Sequence, residues 1–361
     1  MKITAIAVAP LSIPIEPPIR TAIHQIGTVD TAWVEVRTEA ALVGYGYCFC
    51  FGRRRLAVLR AMVEDLGERL IGRDPELVQG VWEDLWKDIN FLGHEGVSIM
   101  GLSALDMALW DLVGKAAGKP LYRILGGMRD RVLAYASEGL WLSAREADLV
   151  KESLALVRKG FKAIKLRLGK PTDAEDFNRV RAVRRAIGEQ VLLLVDVNQG
   201  WDVPTTLRRG VMLEEFNLYW LEEPLPYYNL EGYGEVCAAL QVPIAMGETN
   251  YSPRGIQAIL DHAGADILMP DLQRMGGVTG WMRGATLAGA RGVPVSPHLF
   301  TEACLHLAAA SPLCPIVEHM PWWQPLFREK LRMEDGHLVL PDSPGLGIDP
   351  DREALERFRL G

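Results

Sequence analysis

The chain has 361 residues, of which 49% are hydrophobic and 24% charged, a composition typical of a folded globular protein and not of a disordered one. Its net charge of −7, with no basic run longer than Arg53–Arg55, argues against nucleic acid and anionic membranes as partners. No run of about 18 apolar residues is present, so we expect no transmembrane helix, and the N-terminal segment predicts a first strand rather than a signal peptide.

The cysteine pattern favours a reducing compartment. The number of cysteines is odd and they form no CxxC pair, so the sequence predicts free thiols and a cytoplasmic protein.

Residues 1–128 predict an α+β domain. Three strand-like runs at 2–9, 31–38 and 41–48 precede three helical runs at about 53–71, 75–88 and 97–117. Gly118, Pro120 and the Gly126–Gly127 pair end the helical pattern, and we place the domain boundary just after them.

From about residue 131 the sequence alternates short apolar runs with helical patterns, which predicts a strand–helix barrel over residues 129–325. The eight predicted strands are 132–137, 162–168, 191–197, 218–222, 243–248, 266–270, 294–298 and 315–319. The seven predicted helices are 144–159, 174–187, 204–215, 230–240, 253–262, 277–290 and 301–310. Residues 326–361 form a proline-containing tail with one short helix; either domain could receive it, and we expect it on the N-terminal one.

Three carboxylates end three successive predicted strands. Asp196, Glu222 and Glu248 follow one another at intervals of 26 residues, close to the length of one strand–helix unit, so we expect them at one height in the barrel mouth. A lone acid is more often a solvated loop residue or a helix cap. Three anions in register would repel one another without a cation, and all-oxygen ligation favours Mg²⁺, with Mn²⁺ second, over zinc.

Other predicted strands also end in ionisable side chains. Lys165 and Arg167 alternate with leucines and should face the barrel interior, although a lysine there could also be a surface residue. Asp271 and His298 come from adjacent strands, where a carboxylate can hold one imidazole nitrogen and make the ring a general base, the alternative being a structural histidine. Glu318, if kept protonated, could donate to a substrate oxygen that gains charge.

Together these groups predict proton abstraction next to a carboxylate. A metal would stabilise the enolate, and the lysine and the histidine would flank the α-carbon from opposite sides.

The chain resembles the mandelate racemase subgroup of the enolase superfamily over almost its whole length. The resemblance lies in segment 103–127 (SALDMALWDLVGKAAGKPLYRILGG), in KLR (165–167), in the acids of DVN, EEP and GET, and in PDLQR (270–274), SPH (296–298) and VEH (317–319).

The resemblance implies an α/β fold, a modified (β/α)7β TIM barrel with an α+β capping domain, and a homo-oligomer. It also implies Mg²⁺ on the three acids, a small-molecule carboxylate substrate, an Asp271–His298 dyad and Glu318 as the electrophile. Capping segments 16–28 and 48–53 would close over the substrate. The residues expected near the substrate are Asn198, Arg20, His24, Gln25, Phe49, Phe51, Trp322 and Trp323.

One departure changes the expected reaction. The second lysine of the usual K-x-K is Arg167 here, and an arginine seldom gives up a proton. Arg167 would contact a carboxylate of the substrate or pair with a nearby acid. A single base, His298, favours dehydration of a sugar acid, an aldonate or aldarate, to a 2-keto-3-deoxy acid. The alternatives are a racemase, epimerase or cycloisomerase with Lys165 as second base, and a non-catalytic barrel that binds a metal or ligand.

Overall fold

The computed structural model describes residues 1–361 and begins with an antiparallel sheet of three strands: β1 (Ile3–Arg20), β2 (Gln25–Thr38) and β3 (Val43–Cys50). The first strand is much longer than the expected 2–9. It continues through Pro10 and Pro14 because β1 is an edge strand, where a missing N–H removes no bond from the sheet's interior. Segment 16–28 is therefore mostly the paired end of a hairpin, with only residues 21–24 between its strands.

Four helices follow: α1 (Arg53–Glu68), α2 (Val78–Asp88), α3 (Val97–Ala116) and the short α4 (Leu121–Ile124). Helix α3 packs directly on β3. A Cβ atom on Gly44 would lie 2.2 Å from the carbonyl oxygen of Ala108, and one on Gly46 would lie 2.1 Å from that of Ala104. Glycine is required at both positions because the helix backbone approaches the strand this closely.

By length and composition, α3 could cross a membrane, contrary to the expectation that the chain has no such segment. In the structure, 78% of its apolar window is buried inside the protein. Its apolar character is that of a core helix, since α3 is covered by β3, α1 and the barrel.

The barrel contains the parallel strands β4 (Arg131–Ala136), β5 (Ala163–Arg167), β6 (Leu192–Asp196), β7 (Trp220–Glu222), β8 (Ile244–Met246), β9 (Ile267–Leu268) and β10 (Ile316–His319). Strands β4 to β9 pair in chain order, and β10 pairs with β4 to close the ring. The predicted strand 294–298 is reduced to two bridges, Val295 with Leu268 and His298 with Asp271.

Seven helices surround the barrel, as predicted: α5 (Glu146–Arg158), α6 (Asp173–Ile187), α7 (Val203–Leu213), α8 (Leu230–Ala239), α9 (Ser252–Asp261), α10 (Gly277–Ala290) and α11 (Thr301–Ala310). The predicted barrel with a capping α+β domain is confirmed.

A small buried cluster fills the barrel interior below the strand ends. Its members come from the barrel strands and the residues next to them, and they are Tyr135, Ala163, Leu194, Trp220, Ala245, Ile267, Met269 and Ile316. Because this layer fills the barrel below the strand ends, the side chains that follow it along each strand face the cavity beneath the capping domain.

The C-terminal tail contacts both parts of the molecule. It forms a hairpin of β11 (Arg332–Glu334) and β12 (His337–Val339), then α12 (Arg352–Phe358). Strand β12 pairs with β4, whereas Leu360 N–H donates to the carbonyl of Pro10 in β1. The hairpin was not predicted, although Asp335–Gly336 is a typical two-residue turn. The division of the chain at residues 128 and 325 stays a prediction.

Candidate active site

A cavity lies where the barrel strands end beneath the capping hairpin. Eleven of the sixteen predicted site residues line it: Lys165, Arg167, Asp196, Asn198, Glu248, His298, Glu318, His24, Phe49, Phe51 and Trp322. Asp271 and Glu222 lie directly behind this surface, in contact with His298 and Lys165 respectively. The structure therefore gathers thirteen of the sixteen residues in one place.

Arg20 and Gln25 require a correction, because both side chains are exposed and neither lines the cavity. Ile19, the neighbour of Arg20, does line it. Successive side chains of a strand point to opposite faces, so Ile19 in the cavity directs Arg20 away from it.

Lys165 occupies the centre of a carboxylate cluster. Its Nζ lies 2.8 Å from Glu222 Oε1, 3.1 Å from Glu318 Oε1 and 3.5 Å from Asp196 Oδ2. Burial alone would lower the pKa of Lys165, but these three charges outweigh it and hold the pKa above its ordinary value. The side chain is therefore an ammonium ion, buried but compensated.

The three predicted metal ligands are not all at one height. Asp196 and Glu222 are register partners in β6 and β7, as expected. Glu222 pairs with Ala245 in β8, so Glu248 lies three residues farther along, beyond the end of that strand. The chain turns there at Gly247, whose φ of 120° is available to glycine. Equal spacing in the sequence was misleading for this third acid.

No three His, Cys, Asp or Glu side chains in the structure are arranged to hold a metal ion as they stand. Asp196 and Glu222 face Lys165, whereas Glu248 faces His298. The donor chemistry nevertheless fits a hard divalent cation. Burial raises the pKa of Asp196 and Glu222, with Asp196 adding repulsion at Glu222, and such a charge cluster favours an added cation. Asn198 contributes a buried amide oxygen without a partner.

Asp271 and His298 form the predicted dyad. His298 Nδ1 lies 2.7 Å from Asp271 Oδ2, and its Nε2 faces the cavity, 3.4 Å from Glu248 Oε2. Burial would lower the pKa of His298, but Glu248 and Asp271 outweigh it and raise the pKa to about 9. The carboxylate fixes the proton on Nδ1 and leaves Nε2 to exchange a proton with a ligand.

Glu318 differs from the expectation that it is neutral. Burial would raise its pKa, but Lys165 and His298 outweigh burial and lower the pKa to about 2. Its Oε2 also accepts a 2.7 Å hydrogen bond from the main-chain N–H of Leu299. Glu318 is therefore ionised and holds Lys165 in place. It accepts hydrogen bonds, whereas the sequence predicted that it would donate one.

Arg167 faces the cavity with most of its hydrogen-bonding capacity already used. Nη1 and Nη2 donate to the carbonyl and hydroxyl oxygens of Ser137, at 2.8 and 2.9 Å, and the guanidinium lies 4.4 Å from the ring centroid of Trp141. Nε lies 3.6 Å from Asp196 Oδ2. The structure matches the expected pairing with a nearby acid better than a bidentate contact to a ligand.

Two family models match this chain. "Mandelate racemase / muconate lactonizing enzyme, N-terminal domain" covers residues 2–126, and "Enolase C-terminal domain-like" covers residues 148–354. The chain belongs to the enolase superfamily. Its membership of the mandelate racemase and muconate lactonizing enzyme branch confirms the resemblance stated from the motifs.

Relatives of this enolase superfamily member are enzymes. L-talarate/galactarate dehydratase of Salmonella typhimurium is 36% identical over 90% of this chain and 82% of its own length. D-galactarolactone cycloisomerase of Agrobacterium fabrum is 33% identical over 100% of this chain and 99% of its own length. Arabinonate dehydratase of Saccharolobus solfataricus is 33% identical over 90% of this chain and 89% of its own length. The prediction of a superfamily lyase or isomerase is confirmed at this level.

Solved structures of the superfamily match the whole fold. The Salmonella typhimurium dehydratase liganded with Mg and L-lyxarohydroxamate aligns with a TM-score of 0.96 at 33% identity, covering 100% of this chain and 93% of that one. An enolase from Bradyrhizobium complexed with magnesium and mandelic acid aligns at 0.92 and 30% identity, covering 100% and 99%.

Sequence reasoning missed two residues of this superfamily site. Ser137 ends the first barrel strand, but only ionisable strand ends were considered there, and its hydroxyl holds Arg167. Arg274 appeared in the motif PDLQR without a role, yet it lines the cavity. Both lie at or just beyond a strand end, where barrel sites are built, so position alone could have identified them.

The capping domain supplies an aromatic wall. Phe49 and Phe51 line the cavity as expected and lie edge-on to Trp322, with ring centroids 6.2 Å away in each case. The main-chain N–H of Phe49 donates to Gln273 Oε1 at 2.9 Å, which ties this wall to the barrel. The expected Trp323 lies behind the wall, where its indole N–H donates to Thr31.

Proposed function

We propose that this protein abstracts the α-proton of a carboxylate substrate and dehydrates a sugar acid to a 2-keto-3-deoxy acid. The proposal rests on the Asp271–His298 dyad, whose Nε2 faces the cavity. The position that could hold a second base is occupied by Arg167, and an arginine seldom gives up a proton. The named activities of the dehydratase relatives support the substrate class.

The substrate carboxylate would bind at a divalent cation that three acids hold. We propose Asp196, Glu222 and Glu248 as the residues that hold Mg²⁺, or Mn²⁺ in its place, in keeping with the Mg-liganded structures of relatives. Bound there, the ion would supply positive charge to the substrate carboxylate and to the enolate formed from it. Lys165 offers a second positive charge beside the same group, because its ammonium is fixed by Glu222 and Glu318.

His298 would carry both proton transfers. Because Glu248 and Asp271 raise the pKa of His298 to about 9, the ring must first release its Nε2 proton to solvent. The free Nε2 then takes the α-proton, and the electrons of the broken C–H bond move into the enolate. The resulting imidazolium donates this proton to the β-hydroxyl, the C–O bond breaks, and water leaves. The enol product then tautomerises to the 2-keto acid. Asp271 balances the imidazolium charge while both steps occur, at 2.7 Å from Nδ1.

Cycloisomerisation is the second candidate, since the cycloisomerase of Agrobacterium fabrum aligns over the full length of this chain. Racemisation or epimerisation would need a second base on the other face of the carbon. Lys165 is poorly suited to that role, because three carboxylates favour its ammonium form.

We also propose a cytoplasmic homo-oligomer. All five cysteines are free, in keeping with a reducing compartment. The assembly is proposed from the resemblance to the family. A monomer in analytical ultracentrifugation would refute the assembly.

The proposed reaction can be tested with a panel of aldonates and aldarates, incubated with the protein and Mg²⁺ in D₂O. We expect at least one acid to give a 2-keto-3-deoxy product carrying one solvent deuterium. Exchange at the α-carbon without net product would support racemisation, and loss of a lactone would support cycloisomerisation. No reaction with any acid or lactone would refute the catalytic proposal.

A further inference from the structure

Arg274 is a cavity residue that the proposed reaction does not use. It follows Asp271 by three residues, in the loop after β9, and its main-chain N–H donates to Asp271 Oδ1 at 2.9 Å. One nitrogen of its guanidinium, Nη1, donates to the main-chain carbonyl of Glu248. The side chain is thereby fixed in place at the wall of the cavity.

Unlike the other cations of the cavity, Arg274 has no carboxylate partner. Lys165 lies among three carboxylates and Arg167 lies near Asp196, but no carboxylate oxygen is within 4.0 Å of the Arg274 guanidinium. Its Nε is buried without a hydrogen bond, and Nη2 donates to no protein atom. Burial would lower the pKa of Arg274, but more distant charges, that of Asp271 above all, outweigh burial and raise the pKa. None of these groups occupies its free N–H groups, so the guanidinium can donate to an anion that arrives with the ligand.

His24 adds a second polar group from the capping side. It lies in the turn between β1 and β2, lines the same cavity, and its ring centroid lies 6.1 Å from that of Phe51. Burial, followed by the charge of Arg274, lowers the pKa of His24, which shows that the two side chains influence one another. A neutral imidazole N–H in the same cavity can donate to an anion that the guanidinium binds.

We propose that Arg274 and His24 bind the second carboxylate of a dicarboxylic sugar acid, so that the substrate is an aldarate and not an aldonate. The inference rests on the proposed function, which assigns the first carboxylate to the cation site and Lys165. An aldonate carries a neutral hydroxymethyl group at this end. It would leave the Arg274 charge unpaired, and a site built to bind a polar group rejects a ligand that lacks it.

The test compares aldarates with the matching aldonates, which differ only in whether the terminal carbon is a carboxylate. We expect the wild type to prefer the diacid in kcat/KM. Arg274→Met should reduce that preference roughly 100-fold, chiefly through KM, and His24→Leu roughly 10-fold, because charged hydrogen bonds to the second carboxylate are lost. Arg254→Met is the matched control, since Arg254 is exposed on α9 outside the cavity. A wild type that prefers aldonates, or an Arg274→Met variant that keeps the diacid preference, overturns the subsite.

Failure of the subsite and failure of the proposed function are separated by a binding measurement. In a His298→Asn background, which cannot complete the reaction, calorimetric titration with an aldarate should give at least a 10-fold weaker Kd when Arg274→Met is added. Equal Kd values overturn the subsite even if wild-type dehydration is observed. If Arg274→Met does not fold, Arg274→Lys and His24→Leu replace it, and the lysine should retain part of the diacid preference.

Discussion

His306 is a buried histidine on α11 that joins two distant parts of the chain. Its Nδ1 accepts from the main-chain N–H of Tyr122 at 3.1 Å, and its Nε2 donates to the carbonyl of Leu346 in the C-terminal tail at 3.0 Å. These two bonds require the neutral ring. Burial lowers the pKa of His306 from 6.5 to about 4.

The sign of the pH effect follows from this lowered pKa. The contribution to stability is present above pH 6.5 and is lost as the pH falls toward 4, because the unfolded chain binds the proton first. Between pH 7.5 and pH 5 the loss from this group is about 2 kcal/mol. In urea unfolding at both pH values, His306→Gln should therefore lose about 2 kcal/mol less than the wild type. The exposed His262→Gln should behave as the wild type; equal losses in all three proteins would contradict this account.

Asp106 is one of the side chains through which helix α3 connects the capping domain to the barrel. Asp106 accepts from the main-chain N–H of Thr279 at 2.9 Å and from its hydroxyl at 2.7 Å, in the first turn of α10. The residue before α10 is Gly276, which has no side chain to cap the helix. Asp106 supplies that cap from a helix of another domain.

Replacing Asp106 tests this connection between elements. Asp106→Ala should lower the free energy of unfolding by about 2–4 kcal/mol, because two buried donors at the start of α10 lose their acceptor. Asp106→Asn keeps one acceptor oxygen and should lose about half as much. Guanidinium unfolding measures both variants; a loss below 0.5 kcal/mol for Asp106→Ala, roughly the scatter of surface substitutions, would show that the cap is unimportant.

The elements were predicted best where their pattern is local. Barrel strands that are continuous apolar runs, such as β5 and β6, lie within a residue or two of their expected ranges. Strand β1 was misjudged because the effect of Pro10 and Pro14 depends on an edge position that the sequence does not reveal. The height of Glu248 was misjudged because it depends on how far the chain runs past the end of β8.

At the scale of the whole molecule, the site exists only where two domains meet. The barrel supplies the charged side chains, and the capping domain supplies Phe49, Phe51 and His24. The residue types at the strand ends could be predicted because barrels place them in one mouth. The pairing of charges in that mouth could not be predicted. The ionised state of Glu318 and the free N–H groups of Arg274 are therefore seen only in the structure.

The central claim is that His298 is the base of a one-base dehydration, and His298→Asn tests it most directly. With Mg²⁺ and an aldarate that the wild type dehydrates, formation of the 2-keto-3-deoxy acid is followed by NMR in D₂O. We expect the variant to lose about 10³-fold in rate, the scale of a removed general base, and to show no deuterium exchange at the α-carbon. The exposed His262→Asn should retain the wild-type rate. A His298→Asn protein that still forms product at more than one tenth of the wild-type rate would contradict the account.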